Sequence, residues 1–236
     1  MKNFTTSTSR PFSRFAAMIL LAAATCTLSS CSKDEDKVTA ISGLSVVNVS
    51  PTPSTYNVYL NTTKVSTAAL PFTGSINYFQ ITPGINSVKF TTASSTESVF
   101  TKSINLEADK AYSLYLIDKA DKLDGLLVSD DLSASSTDKA SVRFINLSPD
   151  AGTLTLIQTA GASISADQAY KGASAFSSAE AKTYSLEIHD KATGNVLTKL
   201  EKVVLTAGKI YTIVAAGMVN PTTNDQPLRI HVVTNK

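Results

Sequence analysis

A long-period internal repeat constrains this chain more than any other feature of its sequence. Residues 46–51 (VVNVSP) match residues 144–149 (FINLSP) at an offset of 98 residues. Further blocks match in the same order: 56–60 with 154–158, Gly74 with Gly172, 87–90 with 185–188, and, after one gained residue, 106–112 with 205–211. A period of about 100 residues is too long for a solenoid and has the length of a domain. The sequence therefore predicts two tandem domains.

Short runs rich in Val, Ile, Leu, Tyr, Phe and Thr alternate with turn signals in each copy, which favours strands over helices. The predicted strands of the first copy are 44–49, 56–60, 76–81, 86–91, 98–106, 111–117 and 125–129. Those of the second copy are 142–147, 153–158, 174–179, 183–189, 196–205, 210–216 and 228–233. Seven short strands per copy predict an all-β fold of two immunoglobulin-like β-sandwiches. The predicted boundaries are 1–30 for a cleaved signal peptide, 31–41 for a lipidated linker, 42–131 for the first sandwich, 132–139 for a polar joint and 140–236 for the second.

The first residues have the composition of an export signal. Residues 1–14 contain Lys2, Arg10 and Arg14 and no acid, and residues 15–24 (FAAMILLAAA) form an apolar run. Ten residues are too few to span a bilayer, which needs about 20. A basic segment followed by a short apolar one is typical of a secretory signal peptide. The alternative interpretation is a buried helix of a soluble domain.

The apolar run leads to a sequence that resembles the lipobox of bacterial lipoproteins, namely Leu28, Ser29, Ser30 and Cys31. In that family the small residues admit the signal peptidase, and the thiol accepts a diacylglyceryl group. The resemblance implies that Cys31 becomes the first mature residue with three acyl chains such as palmitate. Because one acyl chain binds a membrane only marginally, three predict a stable anchor.

The segment after the lipobox, Ser32, Lys33, Asp34, Glu35 and Asp36, is similar to the surface-export signal of Bacteroidetes lipoproteins. The resemblance implies an outer-membrane lipoprotein on the cell surface. The periplasmic face of the outer membrane is the alternative location. A plain solvated linker is the alternative role for this charged run.

The repeated blocks also resemble a known domain family. The sequence Val-x-Asn-x-Ser-Pro, then Tyr-x-Val-Tyr-Leu-Asn, then Leu-x-Ala-x-Lys-x-Tyr is similar to the DUF4397 domain. The similarity covers most of residues 44–118 and, more weakly, 142–217. It implies an immunoglobulin-like module of bacterial envelope proteins, of uncharacterised function and without catalytic residues.

Two features of the repeat predict structural roles. Tyr112 and Tyr211 each follow a Leu by six residues across a turn, which is the arrangement of a tyrosine corner. The alternative is that both tyrosines are ordinary aromatic residues of the core. Asn48 and Asn146 each precede Ser by two residues, and we expect their side chains to bond the local backbone and end the first strand.

Charge and residue chemistry exclude several classes of function. Residues 32–236 contain 18 Lys and Arg against 19 Asp and Glu, so they lack the excess of positive charge that nucleic-acid binding needs. Both cysteines lie within residues 1–31, and His189 and His231 lack neighbours at ligand spacing. We therefore expect no metal, no cofactor, no catalytic residue and no enzyme activity.

Three tyrosines are the candidates for ligand contact: Tyr56, Tyr59 and Tyr78. Tyr56 and Tyr59 point to opposite faces of one predicted strand, so one ring can be exposed and stack on a glycan or a partner. The alternative is that these rings complete the core. The leading hypothesis is a lipid-anchored, non-enzymatic module for binding or adhesion, with a glycan or an envelope protein as partner. An accessory subunit of an outer-membrane complex is the second hypothesis, and a hydrolase with an interdomain site is the third.

Overall fold

The computed structural model describes residues 40–133, 137–159 and 161–236. These residues form fifteen strands and no helix. The strands are β1 Ser42–Asn48, β2 Tyr56–Leu60, β3 Thr63–Lys64, β4 Ser75–Ile81, β5 Gly84–Thr92, β6 Ser98–Leu106, β7 Ala111–Ile117, β8 Asp124–Asp130, β9 Lys139–Leu147, β10 Leu154–Gln158, β11 Ser177–Glu180, β12 Thr183–Asp190, β13 Val196–Val204, β14 Ile210–Ala216 and β15 Arg229–Thr234. The all-β prediction is confirmed, and every predicted strand is present within a few residues. No described segment is a helix of the length and apolarity needed to cross a bilayer.

The strands form four sheets, two from each copy of the repeat. We call the sheet of each copy that contacts the other copy the inner sheet, and the remaining sheet the outer sheet. In the first copy, the inner sheet has the order β4-β1-β7-β8 and the outer sheet has the order β3-β2-β5-β6. In the second copy, the inner sheet is β11-β9-β14-β15 and the outer sheet is β10-β12-β13. The first and sixth of the seven predicted strands pair in parallel in both copies, β1 with β7 and β9 with β14.

Each inner sheet packs against its own outer sheet. In the first copy, alternate residues of the strands face this core, for example Val58 of β2, Phe90 of β5 and Leu114 of β7. Leu156, Ile188 and Ile213 belong to the equivalent core of the second copy. Apolar residues at every second position bury one face of each outer strand and leave the other to solvent, as the alternation predicts.

The turn chemistry of the repeat is the same in both copies. The backbone N–H of Ser50 donates to Asn48 Oδ1 at 3.1 Å, and that of Ser148 donates to Asn146 Oδ1 at 3.1 Å, which confirms the predicted turn role. The hydroxyl oxygen of Tyr112 accepts the backbone N–H of Glu107 at 3.3 Å, and that of Tyr211 accepts the N–H of Thr206 at 3.1 Å. Each tyrosine therefore bonds the backbone five residues upstream, which is the contact that a tyrosine corner makes.

The two inner sheets also contact each other. Their facing sides form a third apolar core that combines residues of both copies, such as Val47 and Ile117 of the first with Ile145 and Val214 of the second. Each fully buried aliphatic side chain stabilises this junction by about 1.5–3 kcal/mol relative to an exposed one. Residues Ala40–Lys236 consequently form one compact unit. The domain boundaries proposed from the sequence remain predictions.

A polar network lies at one end of this junction, around a buried ion pair. The guanidinium of Arg143, on β9, donates to the carboxylate of Asp130, on β8, and both side chains are almost fully buried. Arg143 also donates to Thr212 Oγ1 at 2.9 Å and to the carbonyl oxygen of Ser129 at 3.1 Å. The network thus joins β8 of the first copy to β9 and β14 of the second.

The other oxygen of Asp130 extends the network through hydroxyl and amide groups. It accepts from the hydroxyls of Tyr78 at 2.5 Å and Ser113 at 2.7 Å. Asn235 then closes the ring, because its amide donates to the Tyr78 hydroxyl at 2.8 Å and its Oδ1 accepts from Thr212 at 2.7 Å. Burial, and then the charge of Asp130, raises the pKa of Tyr78 well above its usual value, so this hydroxyl stays protonated as a donor.

Replacement of Asp130 tests the energetic importance of the junction. Asp130→Ala leaves a buried guanidinium without its carboxylate, and we expect it to lower the free energy of unfolding by about 3–5 kcal/mol. Urea denaturation of the full chain in detergent measures this loss. Asp131→Ala is the matched control, because Asp131 is exposed and its hydrogen bonds within the described residues are to Ser133 of its own loop. Equal stability of the two variants would show that the network is unimportant.

Candidate functional site

The residues predicted to anchor the chain lie outside the described residues. They are Leu28, Ser29, Ser30 and Cys31 of the lipobox and Ser32, Lys33, Asp34, Glu35 and Asp36 of the export signal. Lipidation, signal cleavage and membrane location therefore remain predictions.

The structure separates the three candidate tyrosines. Tyr56 is only 1% exposed and packs in the core of the first copy, with its hydroxyl 3.1 Å from Thr52 Oγ1. The prediction that Tyr56 contacts a ligand is therefore wrong, because the inward face of β2 is the one that contains Tyr56 and Val58. Tyr78 is engaged in the junction network described above. Only Tyr59 lies on the solvent-facing side of the outer sheet.

Tyr59 stands between two lysines in a row across the first outer sheet. It pairs with Lys64 of β3 on one side and with Lys89 of β5 on the other. Directly paired residues of antiparallel strands point to the same face, with Cβ atoms about 4.5–5.5 Å apart. The Lys89 ammonium lies 4.5 Å from the centre of the Tyr59 ring. At an exposed site such a cation–π contact contributes about 0.5–1 kcal/mol, so a stronger anionic partner can replace the ring.

The surface around this row is polar and has no carboxylate in its strands. The four strands β2, β3, β5 and β6 contain three lysines and no Asp or Glu. The third lysine, Lys102, pairs in register with the core residue Val88, so it lies on the other face of the sheet, where its ammonium contacts Asp124 of β8 at 3.3 Å. Within the described ranges, neither Lys64 nor Lys89 forms an ion pair.

An open groove of about 540 Å³ adjoins the row. Its lining combines the row with the loop between β5 and β6: Asn57, Tyr59, Lys64, Ala93, Ser94, Ser95 and Thr96. Hydroxyl, amide and ammonium groups thus surround one half-buried aromatic ring. We call this surface, formed by Tyr59, Lys64, Lys89 and the 93–96 loop, the tyrosine–lysine face.

The equivalent face of the second copy has a different chemistry. At the offset of 98 residues, Ile157 occupies the position of Tyr59 and Glu187 occupies that of Lys89. Glu187 accepts from Lys199 at 2.7 Å, and its other oxygen lies 2.8 Å from His189 Nε2. The hydrogen bond from Lys199, followed by that from His189, lowers the pKa of Glu187 to about 2. This face therefore neutralises its own charges, whereas the tyrosine–lysine face does not.

The histidines give no support to a metal or hydrolytic site. His189 lies on β12 and His231 on β15, and both are half-buried strand residues, as predicted. Within the part of the chain that the structure describes, no three His, Cys, Asp or Glu side chains are grouped to hold a metal ion. Burial, and then the charge of Arg229, lowers the pKa of His231.

Part of the chain matches a known family of domains. The all-β sandwich architecture is that of an immunoglobulin-like module. Residues 42–157 match the family described as "Domain of unknown function (DUF4397)". The match covers the first copy, β9 and all but the last residue of β10, so the resemblance proposed for the first copy is confirmed. No curated protein matches the chain.

Solved structures give weaker likenesses. The C-terminal domain of AlgF from P. aeruginosa is 20% identical with a TM-score of 0.32, over 41% of this chain and 98% of that one. The CBM26 module of Eubacterium rectale Amy13K, solved with maltoheptaose, is 10% identical with a TM-score of 0.26. The alignment covers 80% of this chain and 96% of that module. A streptococcal virulence factor described by its alpha-glucan binding is 10% identical with a TM-score of 0.26. The alignment covers 73% of this chain and 92% of that one. At TM-scores this low, none of them indicates what this chain binds.

The Glu187 cluster makes the acid stability of the protein testable. Since the pKa of Glu187 is lower in the folded chain, its stabilising effect is complete above about pH 4.5 and is lost as the pH falls toward 2. We expect Glu187→Gln to flatten the loss of stability over this interval, measured by urea denaturation at each pH. Glu201→Gln on β13 is the control, because Glu201 is exposed and forms no ion pair within the described residues. An unchanged acid dependence in Glu187→Gln would contradict the assignment.

Proposed function

We propose that this protein is a non-enzymatic binding module of the bacterial cell envelope, anchored by lipid at Cys31, whose contact surface is the tyrosine–lysine face. The observation that supports this proposal is the position of Tyr59. An aromatic ring on the outer side of a sheet, among hydroxyl and amide groups, provides an apolar surface and a polar handle for a ligand.

The position of Tyr59 on a strand favours binding. The ring projects from β2, and two other residues of this strand, Tyr56 and Val58, are buried in the core of the first copy. A side chain on such a rigid element is held more precisely than one on a loop. A glycan is the preferred ligand, because its ring faces stack on aromatic residues and its hydroxyls bond to Ser, Thr and Asn.

The envelope location rests on the sequence of residues 1–36. The basic segment, the ten-residue apolar run and the Leu28–Cys31 block follow each other in the order that lipoprotein export requires. The similarity of Ser32–Asp36 to a surface-export signal favours the outer face of the outer membrane over its periplasmic face.

The two cysteines permit a matched test of the anchor. We expect Cys31→Ser to abolish acylation and to leave the signal sequence uncleaved by the lipoprotein peptidase. Cys26→Ser should change neither, because residues 23–25 lack the large aliphatic residue of a lipobox. Mass spectrometry of the N-terminal peptide from membranes reports both outcomes. An acylated N-terminus in Cys31→Ser, or its absence from the unaltered chain, would refute the anchor.

The repeat provides a matched test of the contact surface. We expect Tyr59→Ala to reduce glycan binding of the full chain in detergent at least about fivefold, since stacking on one ring contributes about 1 kcal/mol or more. Ile157→Ala is the control at the equivalent position of the second copy. A glycan array measures binding, and urea denaturation verifies that both variants fold. Equal glycan binding by Tyr59→Ala and the unaltered chain would contradict the proposal.

A second candidate function, the accessory subunit, is favoured by strand β4. This strand is seven residues long, lies at the edge of the first inner sheet and contains neither a charged residue nor proline. Natural edge strands usually carry such residues to prevent pairing with another chain. This role would be favoured if the Tyr59→Ala variant still co-purified with a defined envelope protein and the unaltered chain bound no glycan.

A further inference from the structure

We infer that the tyrosine–lysine face recognises an acidic polysaccharide, with Lys64 and Lys89 binding the carboxylates of uronic-acid residues and Tyr59 stacking on a sugar ring. This inference rests on the proposed binding function and specifies the chemical class of its ligand.

The register of the sheet sets the geometry of the two charges. Tyr59 lies on β2, and Lys64 and Lys89 lie directly opposite it on the two flanking strands. Neighbouring strands are about 4.8 Å apart, so the two lysines leave the sheet about 10 Å from each other with the ring between them. A chain of sugars laid across the strands can therefore meet one ring and two ammonium groups at once.

The charges of this row are not neutralised by the protein. Other lysines with known partners, such as Lys102 with Asp124 and Lys199 with Glu187, lie within 3.3 Å of a carboxylate. In the described part of the chain, no carboxylate pairs with Lys64 or Lys89. The nearest acid along the adjoining loop is Glu97, whose backbone N–H donates to Ser95 Oγ. An anionic ligand supplies the counter-charge that the sheet lacks.

The second copy shows what this surface looks like when the charge is satisfied internally. Glu187 replaces Lys89 at the equivalent position and is held by Lys199 and His189. The same fold thus presents a self-neutralised face in one copy and a cationic, aromatic face in the other. Only the latter has the composition of an anion-binding surface.

A sugar acid fits this surface better than a nucleic acid does. Residues 32–236 have 18 Lys and Arg against 19 Asp and Glu, so no extended basic stripe follows the row. The adjoining groove supplies the hydroxyls of Ser94, Ser95 and Thr96. These groups match the hydroxyls of a polysaccharide. On binding, a carboxylate replaces the Tyr59 ring as the partner of Lys89 and frees the ring for stacking.

An oligogalacturonate and its methyl ester form the test pair, because esterification removes the charge and keeps the sugar chain. We expect the full chain in detergent to bind the acid form at least about tenfold more tightly, measured by calorimetry at low salt. Replacement of both lysines in Lys64→Gln/Lys89→Gln should weaken binding of the acid form about 25-fold, at about fivefold for each exposed ion pair. Binding of the ester should be unchanged.

The control variant is Lys182→Gln/Lys209→Gln, which removes the same charge from exposed sites of the second copy. Lys182 also lies over a tyrosine, with its ammonium 4.9 Å from the centre of the Tyr184 ring. An equal loss of acid binding in this variant would show non-specific attraction and overturn the inference. Equal binding of acid and ester, lost in Tyr59→Ala, would overturn the inference and leave the proposed function intact. Failure to bind the acid, the ester or a neutral glycan panel would overturn both.

Discussion

The buried pair of Arg143 and Asp130 determines how the rest of the structure is arranged. An isolated charge of this kind is very costly in a protein interior, so the two groups must be buried together and have their remaining hydrogen bonds satisfied. Each comes from a different copy of the repeat, on facing inner sheets. The pair therefore fixes the two copies in one alignment, while the apolar core of the junction provides most of the favourable burial.

The duplicated positions show how one repeat acquired two kinds of surface. Ser113 and Thr212 are equivalent, and both belong to the junction network. Asn235 bonds to Ile210 at the position where Asp130 pairs with Ala111 in the first copy, so an amide in one copy corresponds to a carboxylate in the other. Divergence on the inner faces made the junction specific. On the outer faces, the first copy has lysines without a paired acid among the described residues, and the second copy has a glutamate paired with lysine and histidine.

The sequence predicts the strands well because alternation and turn residues are local signals. It does not predict the stacking of the inner sheets, although a signal exists: β7 (AYSLYLI) and β14 (IYTIVAA) are mostly apolar, each with one Ser or Thr residue, and are buried on both faces. Alternation also separates Tyr56 from Tyr59, but only the core shows that Tyr56 points inward. The position of Lys64 beside Tyr59 could not be predicted, because β3 has only two residues and its pairing with β2 depends on a turn.

Amide hydrogen exchange of the full chain in detergent tests most directly whether the two copies are one folded unit. The account predicts that the most protected amides of β7 and β14 exchange with the same free energy of opening, and that Asp130→Asn lowers both by the same amount. Independent copies would contradict it: the two strands would show different opening free energies, and the substitution would change those of β7 alone.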